Sequence, residues 1–321
     1  MQRDSISNTI IMSLVLCLIC SLLVSMAAIG LKPVQSLNEE LDRKKNLLEV
    51  TGFSAQEIEA GGGVEALFTQ RFETQVIDLE TGELALDQLK VALAAAGKNL
   101  GEDTLNQYDQ FWASKSKKSE ISDQILPKSD DVVNIKYREK FSHVFVLKSA
   151  DGKVAEKFIF PVRGYGLWSM MRGYLAVEPD FQTVAGLTFY DQKETPGLGG
   201  EVQNPKWKAG WNGKKVFDPQ TGSVKLSVIK GAVNPNSPDK DYEIDGLSGA
   251  TITSNGVSKL LDYWLGPKGF GNYIKKQKAG SPSVQFNAKE PSDVDPNGRE
   301  LVPSTSESVY QSAGFSEGNH G

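Results

Sequence analysis

Histidine and cysteine are nearly missing from this 321-residue chain, with two of each. A zinc site of four Cys or His ligands on the soluble part is thereby excluded, and so is a disulfide-stapled scaffold. Both cysteines, Cys17 and Cys20, lie in one uncharged N-terminal run, so the rest of the chain has no thiol chemistry. A surplus of positive charge is missing too. Lys and Arg total 35 against 40 Asp and Glu, a net charge of -5, which argues against a nucleic-acid partner. No Walker sequence occurs, and no G-x-G-x-x-G follows a strand-like run, so neither a nucleoside triphosphate nor a Rossmann dinucleotide is expected. The apolar share of 39% and the charged share of 23% are ordinary for a globular fold.

That average hides residues 10–31, which carry no charge and only three serines. As a helix the run would span about 33 Å, the thickness of a hydrocarbon core, and it is expected to be a transmembrane anchor. A cleaved signal peptide is the alternative, for Ser25-Met26-Ala27 offers a small-x-small site. Its apolar stretch would normally be shorter than this one. Cys17 and Cys20 share one face of the helix, where they read as small packing residues. Arg3 precedes the run, while Lys32, Arg43, Lys44 and Lys45 follow it. The count places the C-terminal bulk in the cytoplasm, yet the rule weakens when a large domain follows, so charge leaves the topology open.

After the anchor, residues 34–60 read as helix through Leu37, Leu41, Leu47 and Leu48, broken at Gly61-Gly62-Gly63. Residues 64–130 add moderate helical patterns such as 84–96, and 32–130 together are expected to form a helical covering region. The pattern then changes. Runs 144–147 and 158–160 flank Ala150-Asp151-Gly152-Lys153, a hairpin signature, and 184–190 and 224–229 are further strand candidates. Val257, Leu260, Leu261, Trp264 and Leu265 recur at helical spacing. An α+β domain over 131–278 follows from this order. The stretch 279–321, rich in Ser, Pro, Asn, Asp and Gly, is expected to be a disordered tail. His143 and His320 read as ordinary surface residues.

Three glycine-rich stretches fall within the α+β region: Gly164-Tyr165-Gly166-Leu167-Trp168-Ser169, Glu194-Thr195-Pro196-Gly197-Leu198-Gly199-Gly200, and Asp245-Gly246-Leu247-Ser248-Gly249-Ala250-Thr251. Each alone reads as turn punctuation. Together they describe a site for a flat ring that carries a phosphate. The third stretch sets small residues and hydroxyls ahead of a predicted helix, where open N–H groups and the helix dipole favour an anion. In the second, Gly197 and Gly199 let backbone approach a ligand while Leu198 presses on a ring face, and Trp168 of the first offers an aromatic wall.

The block Asp-x-x-Ser-Gly-Ala-Thr, ending at Thr251, resembles the flavinylation motif of membrane-anchored FMN-binding domains, in which the final threonine is esterified to the flavin phosphate. Residues 194–199 and 166–169 resemble two further blocks of that family. With Trp264-Leu265-Gly266 and Gly269-Phe270-Gly271 added, the chain resembles the C subunits of sodium-translocating NADH:quinone reductases of Gram-negative bacteria. The likeness covers the anchor and 131–278 well, the middle region loosely and the tail not at all. Where the family often has a histidine two residues before the glutamate, this chain has Gln192.

The resemblance implies a single-pass inner-membrane protein whose FMN domain, with a mainly antiparallel sheet, faces the periplasm, against the naive charge count. It implies a subunit of a six-subunit translocase that passes electrons from NADH through flavins and iron–sulfur centres to ubiquinone and pumps sodium. This subunit would be a one-electron relay with no complete activity alone, binding neither NADH nor quinone, and with no catalytic residue or metal site of its own. Thr251 would receive FMN from FAD through a magnesium-dependent flavin transferase, AMP leaving, with Thr253 and Ser254 as competing hydroxyls. Asp245, Ser248, Gly249 and Ala250 would shape the phosphate pocket or be read by the transferase. Trp168, Glu194, Thr195, Gly197, Leu198 and Gly199 would contact the isoalloxazine. Lys230, ending the predicted 224–229 strand, either sets positive charge near the reduced ring or is a solvated strand-end lysine. Implied partners are the other subunits, the transferase and membrane lipid, with no nucleic acid. Two alternatives stand beside this one. The flavin-bearing subunit of the related ferredoxin-linked ion-translocating complex shares the motif, but lacks most of the long middle region. A non-redox anchored sensor would carry no flavin.

Overall fold

The computed structural model describes residues 6–95 and 124–280. The apolar run belongs to a longer helix, α1 (Ile6–Val50). Its most apolar 18-residue window has a mean hydropathy of 2.7 and none of it is buried, so α1 is the one helix among the described residues long and apolar enough to cross a membrane. The helix runs through most of the stretch expected to be helical to residue 60, then stops at Thr51-Gly52. Gly52 takes a φ of +101°, and the Thr51 hydroxyl donates back to the Leu48 carbonyl at 2.8 Å. A capping box between Ser54 and Glu57 opens α2 (Ala55–Ala60). Across the triglycine follows α3 (Val64–Arg71).

The next element corrects the expectation of an all-helical cover. Residues Phe72–Asp78 form β1, which pairs antiparallel along its whole length with a strand some 70 residues later, Phe72 opposite Leu147 and Asp78 opposite Phe141. Only a distant partner makes this polar-rich segment a strand, so its own pattern was weak. Helix α4 (Leu86–Ala95), a short pair β2 (Gln124–Ile125) and β3 (Tyr137–Arg138), and the main strands β4 (Phe141–Lys148), β5 (Ala155–Tyr165), β6 (Met170–Val177) and β7 (Val184–Asp191) follow. The five-stranded sheet has the order β1-β4-β5-β6-β7, every neighbour antiparallel. Beyond it lie α5 (Pro205–Ala209), β8 (Ser227–Val228), β9 (Glu243–Ile244), α6 (Thr251–Leu265) and α7 (Gly271–Ala279). The strand expected over 224–229 shrinks to two residues, paired parallel with the equally short β9, while Val224 makes an isolated antiparallel bridge to Phe217.

Both faces of the sheet are buried, and alternation along the strands sorts the side chains. Val144, Val146, Phe158, Phe160 and Val162 join one cluster with Val257, Leu260, Leu261 and Trp264 of α6. Phe145, Leu147, Ile159 and Tyr174 join another with Leu47, Leu48 and Val50 of α1. The result is a three-layer α+β domain, with the end of the anchor helix as part of one layer. His143 is corrected by the same geometry. It is buried on β4, its ring 6.0 Å from that of Phe145, because β4 is covered on both sides. His320, the stretch 281–321 and residues 96–123 lie outside the described residues.

A truncation test follows. A chain beginning at Glu39 keeps Leu47, Leu48 and Val50, whereas one beginning at Thr51 loses three core side chains, each contributing about 1.5–3 kcal/mol by burial. The shorter domain is expected to unfold at a clearly lower urea midpoint; equal midpoints would refute the core role of the last turns of α1.

Candidate functional site

Three turns meet at the N-terminal end of α6. The first closes the β5–β6 hairpin: Gly166 donates to the Ser169 carbonyl at 2.9 Å and carries Leu167 and Trp168 at its tip. Its base is pressed against α6, where Trp264 Nε1 donates to the Arg163 carbonyl at 2.7 Å. The second turn leaves β7. Leu198 and Gly200 both donate to the Thr195 carbonyl, at 3.1 and 2.9 Å, and Gly197 takes a φ of +75°, a conformation that suits glycine. The third leads into α6, with Gly249 at φ +69° and Ala250 donating to the Leu247 carbonyl at 3.1 Å. A side chain at Gly249 would come within 2.9 Å of Leu198, so the second and third turns are in contact.

One buried carboxylate ties these turns together. Glu194 Oε1 accepts from the amides of Trp168 (2.9 Å) and Ser169 (3.0 Å), and from the Ser169 hydroxyl at 3.4 Å. Its Oε2 accepts from the Leu167 amide at 3.1 Å and the Thr253 hydroxyl at 2.8 Å. Burial pushes this carboxyl up, but the bonds from Thr253, Trp168, Leu167 and Ser169 outweigh it and hold the group below its usual value. Glu194 therefore faces inward, toward the hairpin amides and the Thr253 hydroxyl. Gly199 is buried beside it, where a Cβ would meet Thr253 Oγ1 at 2.6 Å and Glu194 Oε2 at 2.8 Å.

The hydroxyls at the start of α6 divide sharply. Thr253 and Ser254 are buried, the first bonded to Glu194 and the second accepting from the Leu247 amide at 3.1 Å. Thr251, the first residue of the helix, is exposed, and its hydroxyl makes no hydrogen bond among the described residues. Ala250 at the N-cap supplies no side-chain acceptor, so the first-turn amides of a 15-residue helix stand open beside that hydroxyl. Around it the surface is apolar: Trp168 is 69% exposed, and Leu167, Leu198 and Ile252 are between 43% and 57%. An exposed aromatic and three aliphatic side chains next to an anion-favouring helix terminus fit a planar, phosphorylated cofactor such as FMN.

The other expected residues take supporting places. Asp245 accepts from the Val233 amide through Oδ1 at 2.7 Å and from Trp207 Nε1 through its carbonyl at 2.8 Å. It thus pins the 230–233 loop, on which Lys230 is exposed. Thr195 and Ser248 are exposed at the second and third turns. Gln192 accepts from the Glu194 amide at 2.6 Å and donates to Gln203 Oε1 at 3.2 Å, bracing the chain behind the carboxylate. Sequence reading placed Leu167 and Ser169 in the first glycine-rich block without giving either a role of its own, and gave none to Ile252 or Gly256. Of the last two only Ile252, an apolar residue in an otherwise hydroxyl-rich first turn, carried a signal.

A family model for the FMN-binding domain matches residues 166–266, a span that contains all three turns. Fold and site together define an FMN-binding α+β domain behind a membrane-type helix. The chain is 40% identical over 279 residues to the C subunit of the Na(+)-translocating NADH-quinone reductase of Pseudomonas aeruginosa, covering 87% of this chain and 98% of that one. Identity to the protein of the same name from Pasteurella multocida is also 40%, over 87% and 97%. Among solved structures, NqrC of Shewanella oneidensis superposes with a TM-score of 0.59 at 28% identity, over 74% of this chain and 96% of that one. The C subunit of the Na(+)-translocating NADH-quinone reductase from Parabacteroides distasonis gives 0.51 at 26%, over 76% and 96%. The chain belongs to the family of C subunits of Na(+)-translocating NADH-quinone reductases.

Proposed function

We propose that the chain is the flavin-bearing electron-transfer subunit of a sodium-translocating NADH:quinone reductase, with FMN joined to Thr251 by a phosphoester. The observation that carries this is the exposure of Thr251 at the open end of α6, while the neighbouring hydroxyls of Thr253 and Ser254 are buried and bonded. When bound, FMN supplies the electron-carrying chemistry; the chain's residues hold, orient and shield. Thr251 Oγ1 would bear the phosphoryl group, with the open first amides of α6, Ser248 and Gly249 to hold it. Trp168, Leu198, Thr195 and Gly197 would hold the ring, with Lys230 on the loop that Asp245 pins.

The ferredoxin-linked alternative is not favoured, since relatives aligned over 87% of the chain carry the quinone-reductase name. The same reading places the domain on the periplasmic side of a bacterial inner membrane, anchored in lipid by α1. Its partners are the other subunits of the sodium-pumping translocase and, during maturation, a flavin transferase that takes FMN from FAD and releases AMP. A tether suits a compartment in which a lost cofactor is not readily replaced, because it keeps the local concentration high.

The test is direct. Full-length chain produced together with the transferase, extracted in detergent and denatured, is expected to fluoresce under ultraviolet light in a gel and to carry the added mass of FMN. Bare polypeptide from the native host would overturn the reading, and it is what a non-redox sensor predicts.

A further inference from the structure

We propose that Glu194 is a positioning residue, which fixes the distance between the aromatic wall at Trp168 and the anchoring helix turn at Thr251; this rests on the reading of the site as a flavin site. Three consecutive amides, those of Leu167, Trp168 and Ser169, converge on its carboxylate. Such a nest ordinarily captures an external anion. Here it captures an anion of the chain's own, and the second oxygen reaches across to Thr253, two residues from Thr251 on the same helix turn. Both neighbours are stripped to glycine to admit the carboxylate: a Cβ at Gly166 or at Gly199 would lie 2.8 Å from its oxygens. The hairpin tip carrying Trp168 is largely exposed, Trp168 at 69% and Leu167 at 45%, so these bonds, with the one from the Lys193 amide to the Ser169 hydroxyl, tie it to the rest of the site. Hydrogen bonds to a charged acceptor are stronger than those between neutral groups, enough to set the geometry of a solvent-exposed turn.

Glutamine is the informative replacement, because it preserves shape and removes charge. Its NH2 group must face amide donors on one side or the other. The less costly arrangement turns it toward Thr253, whose hydroxyl can accept instead, and leaves the Leu167 amide without an acceptor. The E194Q chain, produced full length with the transferase, is expected to keep its covalent flavin and its far-ultraviolet dichroism. Its fluorescence per flavin is expected to rise at least twofold as Trp168 loosens from the ring. T253V is expected to give a smaller rise, and the double variant no more than E194Q alone, since the two share a bond.

Acid supplies a second readout. A carboxylate whose folded value lies below its ordinary 4.5 stabilises the fold fully above that pH, and the contribution is lost as pH falls through the lower folded value. The wild-type signal should therefore move toward that of E194Q only below about pH 4.5, while E194Q itself stays flat over that range. Wild-type fluorescence and an unchanged acid limb in E194Q would overturn the proposal. If E194Q fails to fold, T253V decides: an unchanged flavin signal sinks the coupling. If wild-type chain carries no flavin, the flavin reading falls and the positioning role is judged separately. The anisotropy of Trp168, taken as the difference from W168F, must then drop in E194Q, and an unchanged value refutes the role.

Discussion

Thr251→Val is expected to leave no covalent flavin, with a bare intact mass and a dark band under ultraviolet light, while the fold is unaffected. Valine copies the β-branched shape and its rotamer preference, so the first residue of α6 keeps its conformation. The position is exposed, and surface changes of this kind stay within about 0.5 kcal/mol. What disappears is the only hydroxyl of the α6 first turn that faces solvent. Thr253 is 1% exposed and spends its hydroxyl on Glu194; Ser254 is 3% exposed and accepts from the Leu247 amide. For either to take the phosphoryl group, a buried hydrogen bond must break and the helix end must open. Ser248 is exposed but lies on the preceding turn, outside the helix. Thr253→Val is therefore the matching control: it should keep full flavin content and lose stability, because it strips one donor from a buried carboxylate, at a cost of about 1.5–3 kcal/mol. Flavin retained in Thr251→Val, or lost in Thr253→Val with the fold intact, would move the attachment point.

Legibility in the sequence followed the reach of the interactions. Local signals were plain: 22 uncharged residues for the anchor, an Asp-Gly hairpin between β4 and β5, and helical spacing for α6. The three glycine stretches also pointed to one site, since each carries its own turn chemistry. Strand β1 was hidden because what makes it a strand is the ladder to Leu147 and its neighbours, a pairing that leaves no mark in residues 72–78 themselves. His143 is buried for the same kind of reason: a second layer, built from the end of α1 with α2 and α3, covers that face of the sheet, and no residue near His143 in sequence announces it. Glu194 shows the limit most clearly. The motif marked it as part of the site, but inward and outward orientations of a glutamate in a Pro-Gly turn have the same sequence. The deciding facts were the three amides of another hairpin and a hydroxyl 59 residues away.

Gly256→Ala tests how the site is held from behind, because two effects of opposite sign meet at one residue. Gly256 lies inside α6, and alanine in a helix interior is worth about 1 kcal/mol over glycine. Propensity alone therefore predicts stabilisation. The new Cβ, however, would sit 2.5 Å from the Tyr165 carbonyl oxygen and 3.1 Å from Gly166 Cα, both backbone atoms at the foot of the hairpin that carries Trp168. Neither can rotate aside, so helix and hairpin must separate. That movement strains the Trp264 bond to the Arg163 carbonyl and the Thr253 bond to Glu194. Overpacking of this kind costs about 1–3 kcal/mol, which exceeds the gain in propensity. Gly256→Ala is thus expected to lower the urea midpoint and to alter flavin fluorescence together, since both depend on the same contact. The neighbouring Asn255→Ala supplies the contrast. That position is exposed on the same helix, so the substitution should be neutral or slightly stabilising and leave the flavin signal untouched. If the two substitutions shift stability in the same direction, the close approach of α6 to the hairpin is not what positions the site.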